Sequence, residues 1–332
     1  MNLLCIFAIF TALMFVGTVL MLRLLIPFLQ SKKMGQKILD IGPRWHKNKE
    51  GTPTMGGISF IIVGCILFVI FLSLFKRILN NKEFLTIVNI YVYAILNGMI
   101  GFVDDVAKIR KRKNEGLTPL MKFSLQSIFA AVFLFTMDMS IGLDTTIKIP
   151  FTSVSYDLGF AYFILSFLIL CGVVNSVNLT DGIDGLASSI VFTVGFFLAA
   201  VCILYINTYS LTFISALLIG SSLGFLVYNF YPAKVFMGDT GSLYFGALVA
   251  ASSFFLNNII LVLIFGFVFI CEALSDILQV IFFKFTHGKR LFKMAPLHHH
   301  FERKGWSEVK IVTIFTIVNI IFCVIAYMEF IR

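Results

Sequence analysis

The chain has 332 residues, of which 59% are hydrophobic and only 13% are charged. Soluble domains carry about 25% charged residues, so this composition excludes a soluble globular protein and indicates an integral membrane protein. The net charge of +9 does not indicate nucleic-acid binding. The basic residues stand in short segments between apolar runs, which is the pattern of a membrane topology signal.

Apolar segments suited to cross a membrane, each needing about 20 residues, recur along the whole chain. Ten of them cover residues 3–29, 57–75, 84–102, 118–137, 158–174, 187–206, 210–228, 242–256, 259–285 and 309–331. The first is longer than a signal-peptide core and has no basic residues before it, so we expect it to be retained. The sequence predicts an all-α polytopic membrane protein with about ten transmembrane helices in one domain over residues 1–332. The polar, β-branched segment 138–157 predicts a small hairpin outside the membrane.

The basic residues are divided unevenly between the two sets of connecting segments. Twenty of the 26 Lys and Arg residues lie in residues 30–56, 103–122, 175–186, 229–241 and 284–310. Basic loops face the cytoplasm in membrane proteins. We therefore predict that these segments are cytoplasmic and that both termini are periplasmic.

Acidic residues are scarce, since Asp and Glu together number 17. Five aspartates fall at the cytoplasmic ends of the predicted helices, namely Asp104, Asp105, Asp181, Asp184 and Asp239. Carboxylates at the edge of a membrane are costly unless they are paired, and by default they indicate function. The adjacent pair in GFVDDVAK repel each other, so a divalent cation or Lys108 is the expected partner. Metal or phosphate chemistry, a general base and a solvated helix end all remain open for this pair.

Two further segments combine acids with glycines. NLTDGIDGLA (178–187) carries Asn178, Asp181 and Asp184. A helix N-cap explains one such residue but not three, and the glycines allow a ligand to approach the backbone closely. FMGDTGS (236–242) precedes a predicted helix, where Asp239 could hold Mg²⁺ on a phosphate bound at the helix N-terminus.

The string MAPLHHHFERKG (294–305) contains three consecutive histidines. They cannot all face one metal in regular structure, which argues against a zinc site. Their basic neighbours suit an anionic ligand, and a solvated loop is the alternative. Glu272 and Asp276 lie one turn apart in the ninth apolar segment, where they either line a cavity or bond a neighbouring helix.

Together, five motifs resemble those of the polyprenyl-phosphate N-acetylhexosamine-1-phosphate transferases. They are GTPTMGG (51–57), GFVDDVAK (101–108), NLTDGIDGLA (178–187), FMGDTGS (236–242) and APLHHHFE (295–302). GTPTMGG and the histidine string are similar to the phospho-N-acetylmuramoyl-pentapeptide transferase branch. The resemblance implies a multi-pass enzyme of the bacterial inner membrane, with its active site on the cytoplasmic face. It would convert UDP-N-acetylmuramoyl-pentapeptide and undecaprenyl phosphate to lipid I and UMP with Mg²⁺, and we expect a homodimer.

The resemblance also implies roles for individual residues. Asp239 would bind the metal, Asp104 and Asp105 would serve the lipid phosphate and the reacting phosphates, and Phe236 would stack on uracil. The implied substrate-binding residues are Lys49, Thr54, Lys108, Lys122, Asn178, Asp181, Gly182, Ile183, Asp184, Asn229, Phe236, Gln279, Ala295, His298, His299 and His300.

Three other functions are compatible with parts of the sequence. A related transferase would use UDP-N-acetylglucosamine, but the histidine string argues against it. A secondary transporter needs polar residues near the bilayer midplane, where only Glu272 and Asp276 are available. An intramembrane aspartyl protease would pair Asp157 with Asp239, which the predicted topology places on opposite sides.

Overall fold

The computed structural model describes residues 2–32, 49, 51–111 and 116–331. The described helices are α1 (Leu3–Ser31), α2 (Gly57–Phe75), α3 (Asn81–Lys111), α4 (Pro119–Ile141), α5 (Phe160–Thr180), α6 (Leu186–Val201), α7 (Tyr209–Asn229), α8 (Gly238–Ser252), α9 (Val262–Phe265), α10 (Phe267–Phe285), α11 (Leu297–Glu302) and α12 (Glu308–Ile331). A π-helical turn (Cys202–Ile206) follows α6, and 3₁₀ turns (Ser253–Leu256 and Ile259–Leu261) connect α8 to α9.

Within these described ranges, eight helices are long and apolar enough to cross a membrane, and a bent pair raises the number to as many as nine. The prediction of an all-α polytopic membrane protein is confirmed. Two of the ten predicted segments differ from a simple span. The eighth corresponds to α8, which has only 15 residues and is buried along nearly its whole length. The ninth is broken at Gly266, where its two parts meet at 86°.

Helix α8 is surrounded by other helices of the protein along nearly its whole length. A methyl group on Gly101 of α3 would overlap the carbonyl oxygen of Asp239, and one on Gly246 would lie 2.8 Å from Val174 of α5. Gly57 of α2 makes a similarly close approach to Gly241. Missing side chains therefore let three neighbouring helices pack directly on α8, whose first turn carries Asp239.

Two helices continue beyond their predicted ends. The structure extends α3 to Lys111 and α5 to Thr180, whereas the apolar runs end at residues 102 and 174. Hydropathy marks where a helix leaves an apolar environment, not where its hydrogen bonds end. Asp104 pairs with Lys108 one turn later at 2.6 Å, a spacing that supports the added turns. Asp104, Asp105 and Asn178 consequently lie on helices rather than in loops.

The predicted hairpin is present as β1 (Thr146–Lys148) and β2 (Ser155–Asp157), which pair antiparallel with Ile147 opposite Tyr156. The first residues of the predicted segment, 138–141, belong to α4 instead. The amide of Phe151 donates to Oε2 of Glu329 at 2.6 Å, which ties the hairpin loop to the last turns of α12.

The first and last helices both have their free ends at the hairpin end of the molecule. Helix α1 runs parallel to α7, since Thr11 packs against Gly220 and Thr18 against Gly224. Helix α12 begins with Glu308 at the opposite end. This agrees with two termini on one side, and the assignment of that side to the periplasm stays a prediction. Residues 33–48, 50 and 112–115, which hold part of the basic topology signal, lie outside the described residues.

Asn319 of α12 stabilises the break before α10. Its amide nitrogen donates to the carbonyl of Phe265 at 3.1 Å and to Thr193 Oγ1 at 2.8 Å. Its amide oxygen accepts from Val268 N at 3.3 Å. The backbone groups freed by the bend are thereby satisfied, as burial requires.

Candidate active site

The aspartate pair occupies the end of α3 beside α8. Asp105 accepts hydrogen bonds from Asp239 N at 3.2 Å, Thr240 N at 2.9 Å and Thr240 Oγ1 at 2.7 Å. It thus caps the N-terminus of α8 from another helix. Asp104 accepts from Leu117 N at 2.7 Å and pairs with Lys108. Both carboxylates are buried.

Asp239 is one of four polar side chains that converge at the start of α8. Its Oδ2 contacts Lys108 Nζ at 2.9 Å and Lys122 Nζ at 2.8 Å. Its Oδ1 accepts from Asn178 Nδ2 at 2.9 Å, and Lys122 also donates to Asn178 Oδ1 at 3.2 Å. Helices α3, α4, α5 and α8 therefore each contribute a side chain to one cluster.

The three aspartates form a suitable donor set for a divalent cation. Asp104, Asp105 and Asp239 each offer a carboxylate oxygen within 4.8 Å of the others. Hard cations such as Mg²⁺ take carboxylate oxygens as ligands. A methyl group on Gly238 would lie 2.5 Å from Asp105 Oδ2, so the glycine keeps the space beside the cluster clear.

A second charged cluster surrounds Lys49. Its Nζ lies 2.6 Å from Asp184 Oδ1 and 2.6 Å from Glu308 Oε2. Glu308 also accepts from Asp184 N at 3.0 Å, and Asp184 Oδ2 accepts from Ala233 N at 2.9 Å. Among the described residues, this cluster of one lysine and two carboxylates carries a net negative charge.

The 181–185 turn, which comprises Asp181 to Gly185, connects the two clusters. Gly185 N donates to Asn229 Oδ1 at 3.1 Å, and Asn229 Nδ2 donates to Val235 O at 2.9 Å. Burial, and then the carboxylates of Asp239, Asp105 and Asp184, raise the pKa of Asp181 well above its ordinary range. The turn therefore holds a carboxyl group that is costly to ionise.

The histidine string forms the short helix α11. His298 is buried against Glu272 of α10, with Nδ1 and Oε2 3.0 Å apart. His299 Nδ1 lies 2.6 Å from Glu302 Oε2. His300 Nδ1 accepts from Lys293 N at 3.1 Å, which requires an unprotonated Nδ1. Burial, followed by Lys304 and Lys293, lowers the pKa of His300, which favours the neutral ring.

The remaining predicted residues lie around these clusters. The backbone of Phe236 bonds to Pro53 and Gly56, which places it beside the segment that carries Thr54. Gln279 accepts from Leu291 N at 3.0 Å and from Phe292 N at 2.9 Å, so its side chain fixes the loop after α10. Gln279 and Ala295 line one open groove that also includes Asp276, Arg290 and Arg303.

Comparisons with known proteins match nearly the whole chain. The model described as glycosyl transferase family 4 matches residues 87–257, and phospho-N-acetylmuramoyl-pentapeptide-transferase signature 1 matches residues 49–61. The phospho-N-acetylmuramoyl-pentapeptide-transferase of Clostridium acetobutylicum is 43% identical over 318 residues, which cover 96% of each chain. The enzyme of the same name from Bacillus subtilis is 43% identical over 324 residues, covering 96% of this chain and 97% of the relative. The chain belongs to the phospho-N-acetylmuramoyl-pentapeptide-transferase family.

Most of the site residues predicted for this transferase lie in one contiguous region. Hydrogen bonds or ion pairs join Asp104, Asp105, Asp239, Lys108, Lys122 and Asn178 in the first cluster. An ion pair joins Lys49 to Asp184 in the second cluster, and Asn229 bonds to the 181–185 turn at Gly185. Gly182 and Ile183 lie on the 181–185 turn between the two. The individual roles of these residues stay predictions.

Sequence reasoning missed the acidic partners in the transferase site. Glu272, Glu302 and Glu308 contact His298, His299 and Lys49, respectively. For Glu272 the sequence leaves open a cavity or a bond to a neighbouring helix, and the contact with His298 of α11 supports the second. The i, i+3 spacing of His299 and Glu302 is a signal that could have found one of these pairs.

The protease alternative fails on distance. Asp157 precedes α5, whereas Asn178 near the other end of α5 contacts Asp239. A helix of 21 residues is about 30 Å long at 1.5 Å per residue. The two aspartates therefore cannot share a proton as a catalytic dyad.

Proposed function

We propose that this chain transfers phospho-N-acetylmuramoyl-pentapeptide from its UDP-linked form to undecaprenyl phosphate, giving lipid I and UMP. The observation that supports this best is the convergence of Asp104, Asp105 and Asp239 with Lys108 and Lys122. Both substrates carry phosphates, and carboxylates beside basic donors suit phosphates that arrive with a divalent cation. The relatives bear the name of this activity.

Asp239 would hold Mg²⁺ together with Asp104 and Asp105, because each of the three offers a carboxylate oxygen within 4.8 Å of the others. When bound there, Mg²⁺ supplies stabilisation of the negative charge on the diphosphate and on departing UMP. Lys108 and Lys122 would donate to phosphate oxygens as compact cations.

The lipid phosphate would attack the sugar-linked phosphorus directly. One of its oxygens forms the new P–O bond, the bond to the UMP phosphate breaks, and UMP leaves with that electron pair. A phosphate monoester has a second pKa of about 6 and is mostly dianionic at pH 7, so it needs little activation. Asp104 and Asp105 would accept a proton only from the remaining monoanion.

The second cluster suits the nucleoside. Lys49 between Asp184 and Glu308 has a net negative environment, which disfavours a phosphate but suits the N–H and O–H donors of uracil and ribose. Phe236 would offer a stacking face nearby. His299 and His300 of α11 and the groove beside Gln279 and Ala295 would contact the sugar and the peptide.

The location follows from the two substrates. The nucleotide is soluble and the acceptor is a membrane lipid, so the site must open to the cytoplasm and sideways to the bilayer. We place the chain in the bacterial cytoplasmic membrane with the two clusters on the cytoplasmic face. The homodimer expected from the family resemblance is part of this proposal.

UMP release tests the proposed reaction. Purified protein should release UMP from UDP-N-acetylmuramoyl-pentapeptide only when undecaprenyl phosphate and Mg²⁺ are present. UDP-N-acetylglucosamine in the same assay separates this activity from that of the related transferase. Release from UDP-N-acetylglucosamine, with none from the pentapeptide substrate, would show that the proposed donor is wrong.

A further inference from the structure

Glu272 is a carboxylate with no exposure to solvent on α10. Its Oε2 lies 3.0 Å from His298 Nδ1, and its Oε1 accepts from the His298 backbone N–H at 3.2 Å. Burying a carboxylate is costly unless it is well hydrogen-bonded. Both of these bonds go to one residue, so the position of Glu272 is tied to that of His298.

The other ring nitrogen of His298 faces the 181–185 turn. Nε2 is buried and makes no hydrogen bond among the residues that the structure describes. A methyl group on Gly182 would overlap this nitrogen. The ring edge therefore reaches the backbone between Asp181 and Asp184 because Gly182 has no side chain.

The two contacts select one form of the imidazole. An ionised Glu272 can only accept, so it pairs with a proton on Nδ1, and in the neutral ring with that proton Nε2 carries a lone pair. In the Nε2–H tautomer, the lone pair of Nδ1 would face the carboxylate of Glu272 and repel it. This tautomer would also place an N–H, rather than a lone pair, in the buried contact with Gly182, and buried N–H groups without a partner are rarer than unsatisfied acceptors.

We propose that Glu272 is a positioning residue that acts through His298 on the 181–185 turn. It fixes the Nδ1–H tautomer and the ring rotation, and the ring in turn supports the backbone that carries Asp181 and Asp184. The role rests on the proposed function, because there this turn belongs to the nucleotide site. Asp276, one turn further along α10, lines the open groove instead.

Glu272→Gln tests this link while it preserves the shape of the side chain. The new amide can donate to Nδ1 and so favours the Nε2–H tautomer. We expect kcat/KM for UDP-N-acetylmuramoyl-pentapeptide to fall about 10- to 100-fold, mainly through a higher KM, by analogy with the loss of carboxylate partners from metal-bound histidines. Glu329→Gln is the matched control, since it removes a carboxylate that holds a backbone N–H at the hairpin end.

Histidine ¹⁵N NMR separates a positioning role from a merely structural one. The chain has five histidines, and the His298 signal is identified by its loss in His298→Asn. Wild-type protein should show the Nδ1–H tautomer at His298, and Glu272→Gln should show Nε2–H. A wild-type Nε2–H tautomer, or an unchanged KM in Glu272→Gln, would overturn the proposal.

Misfolding of Glu272→Gln and failure of the proposed function can each be distinguished from failure of the positioning role. If Glu272→Gln does not fold, His298→Asn tests the same link, because it keeps an N–H for Glu272 and offers nothing to the turn. A raised KM then supports the proposal, and an unchanged KM overturns it. Failure of the proposed function would appear separately, as a wild-type protein that releases no UMP although the tautomer is as expected.

Discussion

Lys122 Nζ lies 2.8 Å from Asp239 Oδ2, the same oxygen that Lys108 contacts at 2.9 Å. A divalent cation that binds Asp239 must therefore compete with two ammonium groups. Such charge pairs are worth several kcal/mol at an effective dielectric of about 20.

Removing one ammonium should strengthen metal binding in the absence of phosphates. We predict that Lys122→Gln binds Mn²⁺ at least about tenfold more tightly than the wild type, measured by electron paramagnetic resonance titration without substrate. Turnover should fall, because the variant lacks the ammonium group that would donate hydrogen bonds to the substrate phosphates. The control is Lys310→Gln, whose side chain lies over the ring of Trp306. Equal Mn²⁺ affinities in all three proteins would contradict the competition.

Glu308 should act on the nucleoside through Lys49. Glu308→Gln removes one of two carboxylates at 2.6 Å from Lys49 Nζ, and we expect a higher KM for the UDP-linked substrate. In a Lys49→Met background the same change should have little further effect, because contacting residues couple by about 0.5–3 kcal/mol. Fully additive losses in kcat/KM would show that the two residues act independently.

The polytopic fold could be predicted from the sequence because apolar runs of membrane length are explicit in it. The extension of α3 to Lys111 could not, since Asp104 and Lys108 interrupt the hydropathy while preserving the helix. The break at Gly266 lies inside a continuous apolar run, and its stabiliser Asn319 comes from α12. Only tertiary structure joins those two positions.

For the site too, the sequence predicts which residues matter but not which residues they contact. Acid–glycine motifs at the predicted helix ends indicated Asp104, Asp105 and Asp239, because carboxylates are conspicuous in an apolar chain. The hydrogen bonds of these aspartates could not be predicted from the sequence, and in the structure Asp105 caps the N-terminus of α8. The pairing of Lys49 with Glu308 spans most of the chain, so no local spacing reveals it.

Helix α8 should depend on the missing side chain at position 101. In Gly101→Ala the new methyl group would overlap the backbone of Asp239, and backbone cannot move aside as a flexible side chain can. We expect a loss of roughly 1–3 kcal/mol in stability, measured by thermal unfolding in detergent, together with loss of activity. Gly172→Ala on α5 is the control, since nothing lies within 4 Å of its added methyl group. Equal stability of the two variants would contradict the packing described for α8.

Asp181→Asn should stabilise the protein at neutral pH while it impairs activity. The folded state raises the pKa of Asp181, so ionisation at pH 7.5 costs the folded state more than the unfolded one. That cost is present above the folded pKa and disappears below the unfolded value of about 3.9. The Tm of the variant should exceed that of the wild type by about 2 °C or more at pH 7.5, and the difference should vanish near pH 4. A gain in Tm that is the same at both pH values would refute the electrostatic cause.

The central claim is that the lipid phosphate attacks directly while Asp239 remains a metal ligand. Exchange of labelled UMP into UDP-N-acetylmuramoyl-pentapeptide tests it, because a covalent enzyme intermediate would permit exchange without an acceptor. We predict that rigorously delipidated protein shows no exchange and that added undecaprenyl phosphate restores it. Robust exchange without lipid that is lost in Asp239→Asn would contradict the account and make Asp239 the nucleophile.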